Sequence, residues 1–185
     1  MTNPLPRPTG ANGFTLIELL VVVSLTILLM MTAVAVFMSF LVSNSKLGAL
    51  NLVKSEGDYA LSQLEFFIRN SIGLETTPEI ENTCEAGMAA IAVRSIDGEV
   101  TVFSLEPDPD DNNLTKVASA SAQGVVFLTS SAVEVGELIF DCAQSDFGGS
   151  TRVNISLTID RATESEDERE MASQVFQTST GVRSN

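Results

Sequence analysis

The amino-acid sequence predicts an α+β protein in which a long N-terminal helix, membrane-spanning in its first half and amphipathic in its second, packs on a C-terminal antiparallel β-sheet. Three observations carry this reading. The stretch from Leu19 to Val42 holds no charged residue and exceeds the roughly 20 apolar residues that cross a bilayer core. No proline occurs between Pro8 and Pro78, so nothing of that kind interrupts a helix over this range. From Glu79 onward the texture changes to short β-prone runs separated by turn residues.

Residues 1–13 (MTNPLPRPTGANG) form a short, polar, proline-containing leader. A cleavable secretory signal is the first alternative for the apolar run behind it, but such a signal has an apolar region of only about 7 to 15 residues with its small-residue cleavage site after it. Here Ala33-Val34-Ala35 lies deep inside the apolar run. The segment 14–42 reads instead as a transmembrane helix. Charge gives little sense of orientation, because Arg7 precedes the span while Lys46 and Lys54 come after it.

Glu18 is the one charge near the start of the apolar run. An ionised carboxylate in such a helix is costly unless paired, and intramembrane acids usually mark function. Cleavage between Gly13 and Phe14 would create a positively charged amine four residues before it. In the first turn Glu18 is favoured by the helix dipole, and it can pair with such an amine on a neighbouring subunit.

Residues 43–75 continue the helix, to about Ile72, with an amphipathic pattern. Leu50, Val53, Gly57, Ala60, Leu64 and Phe67 are spaced by three and four, and Leu61, Ile68 and Ile72 widen the stripe. The stripe predicts a helix whose first half meets other subunits and whose second half carries its own head, residues 76–185. In that head, 89–96 and 99–105 flank Asp97-Gly98, a hairpin turn pair. Further strands are expected over 125–129, 133–142, 153–159 and about 174–182. The run 153–159 alternates strictly, with Val153, Ile155, Leu157 and Ile159 on one face. Two acidic loops remain. The first, Glu106 to Asn113, has oxygen ligands at alternate positions, but Asn113 replaces the turn glycine of a calcium loop and Ser119 stands where its glutamate should be. A solvated turn is expected there, and a solvated loop at Glu164 to Glu170.

Composition narrows the function. The chain has 24 acidic and 10 basic residues, net −14, which opposes binding to nucleic acid. Histidine is absent, and no Walker loop or nucleophile elbow occurs, so neither an enzyme nor a cofactor or metal site is expected. Cys84 and Cys142 both lie beyond the apolar segment. An even count on the exported side of a membrane favours a disulfide between them over a pair of buried thiols.

The run Gly13-Phe14-Thr15-Leu16-Ile17-Glu18-Leu19-Leu20 resembles the processing motif of type IV prepilins and type II secretion pseudopilins. The resemblance implies the pilin fold and cleavage after Gly13 by a prepilin peptidase, with N-methylation of Phe14. It gives Glu18 the role of docking an incoming subunit against a neighbour's amine. Implied partners are that peptidase, other pilin or pseudopilin subunits, an inner-membrane assembly platform and, before assembly, membrane lipid. The chain would be a single-pass inner-membrane protein with an exported C-terminal domain, and then part of a surface or periplasmic filament. Major pilins commonly carry a proline in the apolar half of the helix; its absence favours a minor pilin or pseudopilin. A weaker resemblance, from Leu128 to Val133, Leu138 to Phe140 and the closing Phe176 to Asn185, is to larger minor pilins and J-type pseudopilins, with the departure that Ser184 separates Arg183 from Asn185. Two other readings stand beside a filament subunit: a head displayed as an adhesin or binding module, and a membrane-anchored domain that never polymerises.

Overall fold

The computed structural model describes residues 13–78, 80, 83–144, 151–162 and 171–182. The leader up to residue 12, the acidic run 164–170 and the closing Arg183-Ser184-Asn185 lie outside the described residues. The chain divides into two units, Met1–Val42 and Ser43–Asn185. One helix, α1 (Leu16–Asn70), contributes to both.

In the first unit α1 begins at a cap written in the sequence. Thr15 precedes the helix, its carbonyl accepts from the Leu19 N–H at 3.2 Å, and its Oγ1 accepts from the Glu18 N–H at 3.3 Å. The hydroxyls of Ser24, Thr26 and Thr32 donate back to the carbonyls of Val21, Val23 and Leu29 at 2.8–2.9 Å, so these three polar groups inside the apolar run are satisfied within the helix itself. The helix is long and apolar enough to cross a membrane, and its apolar window is fully uncovered.

In the second unit the predicted stripe is the buried one. Ala49, Val53, Gly57, Ala60, Leu61, Leu64 and Ile68 are buried, with Leu50 and Phe67 partly so. The helix stops at Asn70, earlier than its pattern suggests. Asn70 Nδ2 donates to the Phe66 carbonyl at 2.8 Å and Ser71 Oγ to that of Ile68 at 2.7 Å, satisfying carbonyls the helix end leaves open. The Ile72 N–H then donates to the Arg94 carbonyl at 2.8 Å. Ile72 therefore belongs to the approach to the sheet, not to the helical stripe.

Among the described residues the strands of the head pair antiparallel, and they form two sheets where one was expected. The first contains β1 (Gly73–Glu75), β2 (Ile91–Arg94), β3 (Val100–Pro107), β4 (Thr115–Ser121) and β5 (Gly124–Phe127). The second contains β6 (Val133–Ala143), β7 (Arg152–Arg161) and β8 (Ser173–Gly181). In each, spatial order follows chain order. The Asp97-Gly98 hairpin forms between β2 and β3, with Gly98 at φ +86°, a conformation that glycine adopts without penalty. The alternation of β7 also holds: Val153, Ile155, Leu157 and Ile159 are buried.

Both sheets and the second half of α1 share one core. Val53, Ala60, Leu64 and Ile68 meet Ile91, Val93, Phe103 and Val117 of the first sheet, and Val133, Phe140, Ile155 and Leu157 of the second. Phe67 and Phe103 pack with ring centroids 5.5 Å apart and planes tilted by 51°. At Gly57 the Phe176 ring lies where a Cβ would be, so the glycine admits the β8 aromatic to the helix surface.

Candidate functional site

The candidate segment at the head of α1 is built from a few residues. Gly13 and Phe14 precede the helix in an open, exposed conformation. A Cβ at Gly13 would meet nothing within 4 Å, and its φ lies outside the left-handed region. Neither space nor backbone geometry in the folded chain demands glycine there, in contrast to Gly57. Phe14 is 78% exposed.

Glu18 occupies the third helical position, and Thr15-Leu16-Ile17-Glu18 has the T-x-x-E pattern of a capping box. One half of that device is made: the Glu18 N–H reaches Thr15 Oγ1. Among the described residues no cation pairs with the Glu18 carboxylate, which is exposed at the start of an apolar run. The cap uses the backbone at position 18 and takes no part of the Glu18 side chain, whose charge has no partner among the described residues. The sequence reading overlooked the cap, although Thr15 three places before Glu18 announces it.

Cys84 and Cys142 are joined, their Cα atoms 4.9 Å apart. The bond anchors a segment that runs along the free side of β6. The Cys142 N–H donates to the Glu85 carbonyl at 2.9 Å, and Met88 and Phe140 exchange two main-chain bonds at 3.0 and 2.8 Å. The Gly87 N–H donates to Asp141 Oδ1 at 2.7 Å. Residues 85–88 therefore cover part of an edge that would otherwise offer unpaired groups.

The loop between β3 and β4 is solvent-exposed from Pro109 to Asn113, as its sequence suggests, and departs from that reading at Asp108. Asp108 is completely buried, and Lys116, also buried, places its Nζ 2.6 Å from Asp108 Oδ2. The contact is an ion pair, off the direction of a well-formed hydrogen bond. Asp108 Oδ1 accepts the Asp110 N–H at 3.0 Å. Lys116, with the Asp110 amide, holds the Asp108 carboxyl below the usual carboxylate range despite its burial. Lys116 also lies 5.5 Å from the Phe127 ring centroid. Nothing in the spacing of Asp108 revealed this, because the partner sits eight residues on in a strand that composition does not announce.

A second polar tie joins α1 to the loop before β6. Glu56 accepts from the Ser130 N–H at 3.0 Å and from the Ser130 hydroxyl at 2.8 Å. Thr115 Oγ1 donates to the Val135 carbonyl, linking β4 to β6. Among the described residues, no group of three His, Cys, Asp or Glu side chains is placed to hold a metal ion.

Compared with known proteins, the chain matches no family model, no curated protein and no solved structure.

Proposed function

We propose that this chain is a prepilin, cleaved between Gly13 and Phe14 by a prepilin peptidase, N-methylated at Phe14, and assembled through α1 into a type IV pilus or related type II secretion filament. The observation that carries the reading is the order of features at the head of α1. A glycine that the described part of the folded chain does not itself require is followed by an exposed Phe14, a capped helix start and an exposed Glu18 that pairs with no cation among the described residues. Beyond them runs an uncovered apolar helix able to span a bilayer.

Cleavage supplies the missing cation. The new amine at Phe14 belongs to the same position in every subunit, so each subunit presents one amine and one Glu18 carboxylate. A neighbour shifted along the helix axis pairs them in an apolar setting, where such a contact is strong. The absence of proline from the span favours a minor pilin or pseudopilin over a major one. Its partners are the peptidase, neighbouring pilin subunits, an inner-membrane assembly platform and, before assembly, lipid. The disulfide in the head supports an exported location.

The intact mass of the full chain, coexpressed with a prepilin peptidase and extracted from membranes, tests this. A chain starting at N-methylated Phe14 is expected. Retention of Met1 to Gly13 beside an active peptidase would reduce the protein to a membrane-anchored domain.

A further inference from the structure

The loop that sequence inspection set aside as a calcium site carries a different pattern. Asn113-Leu114-Thr115 has the Asn-x-Thr order of an N-glycan acceptor. The loop leaves β3 at Pro107 and enters β4 at Thr115, which face each other across the ladder. Its base is fixed by the buried Asp108–Lys116 pair and by the Asp108 N–H donating to the Leu114 carbonyl at 2.8 Å. Its tip is fixed by Asp111, whose Oδ1 accepts the Asn113 N–H at 3.0 Å and whose carbonyl accepts the Leu114 N–H at 3.0 Å. These bonds use the backbone of Asn113 and leave its exposed side-chain amide with no hydrogen bond to any described residue.

A second Asn-x-Ser pattern, Asn154-Ile155-Ser156, is an internal comparison. Asn154 lies in β7, the central strand of its sheet, paired with Asp141 on one side and Ser179 on the other. Its backbone is committed to two ladders and cannot bend into a transferase site while the sheet stands. Only the first pattern sits in a turn.

We infer that Asn113 is an acceptor site for an N-linked glycan, donated by a polyprenyl-pyrophosphate-linked oligosaccharide on the exported side of the membrane. This rests on the proposed export of the head. In the transfer, Asn113 Nδ2 attacks the anomeric carbon of the first sugar. The bond from that carbon to the pyrophosphate oxygen breaks, the polyprenyl pyrophosphate leaves with the electron pair, and the amide nitrogen gives up one proton. Nothing is oxidised or reduced. The Thr115 hydroxyl, which the acceptor pattern requires, donates to the Val135 carbonyl in the folded head. Acceptance therefore requires this one side-chain bond between β4 and β6 to open while the turn stays built, whereas Asn154 becomes available only when two ladders come apart.

The test expresses the full chain in a host whose exported face carries an oligosaccharyltransferase and its lipid-linked oligosaccharide, and maps glycopeptides by tandem mass spectrometry. Glycan is expected at Asn113 in the parent chain and in Thr115→Ser and Asn154→Gln, with complete loss in Asn113→Gln and Thr115→Val. An unchanged melting temperature for Asn113→Gln would show that the loss is local. External protease and the oxidation state of Cys84 and Cys142 report export in the same cells. An exported, oxidised head with bare Asn113 would overturn the inference and leave the anchored reading standing, as would glycan confined to Asn154. A head protected from protease would overturn both.

Discussion

Gly13 and Gly57 are the same residue type placed under opposite constraints. A side chain at Gly57 would strike the Phe176 ring, whereas one at Gly13 would meet open space. Gly57→Ala gains up to about 1 kcal/mol in helix propensity but overpacks a buried contact, which typically costs about 1–3 kcal/mol. We expect a net loss of about 1 kcal/mol in the detergent-solubilised full chain, read as a lower melting temperature, with most of it recovered in Gly57→Ala/Phe176→Leu. Gly13→Val should leave thermal stability unchanged and block cleavage, seen as a retained leader in the intact mass. Asp108 adds a pH prediction. Its folded pKa lies below the ordinary value, so its contribution is fully present above the unfolded value near 3.9 and disappears as pH falls through the folded one. Asp108→Asn should lose stability at neutral pH, because Lys116 would be left buried without its counter-charge, and its acid unfolding profile should be flatter than the parent's.

At the scale of elements, the start of α1 separates two roles of Glu18. If its charge serves assembly, Glu18→Val leaves cleavage intact and lowers recovery in sheared filaments, while Glu18→Gln, which retains capping capacity without charge, falls with it. Normal incorporation of either variant would remove the amine-pairing account. The disulfide acts on another element, the segment 85–88 along β6. Closing a loop of this length contributes about 4 kcal/mol in the chain-entropy picture. Cys142→Ser should therefore lower the melting temperature and raise amide exchange at Phe140 and Cys142, whose N–H groups bond to Met88 and Glu85. Unchanged exchange there would show that the segment holds without its bond.

For the whole molecule, the fold class was legible because its signals are long or periodic. The apolar run, the Val53 to Ile68 stripe, the Asp97-Gly98 turn and the alternation of β7 each express a simple physical rule over neighbouring residues. What escaped the reading was short or compositionally neutral. β1 has three residues, and β4 is rich in alanine and serine, which carry little strand preference. Missing β4 hid the partner of Asp108. The candidate site was legible for the same reason as the span, since Gly13, Phe14 and Glu18 stand in one contiguous motif. The cap at Thr15 was equally visible and went unread beside the more conspicuous carboxylate.

The consecutive strand order has a consequence for how the head is made. Within each sheet every strand after the first pairs with the one synthesised just before it, so a chain made from its N-terminus onward always has its next partner already in place. Local pairing of this kind closes short loops and folds quickly. The closures that join one element to another wait for distant chain, among them Ser130 reaching back to Glu56, Cys142 to Cys84, Val135 to Thr115, and Phe176 to Gly57. The last of these comes from the final described strand, so the seating of β8 on the helix waits until nearly all of the head has been made.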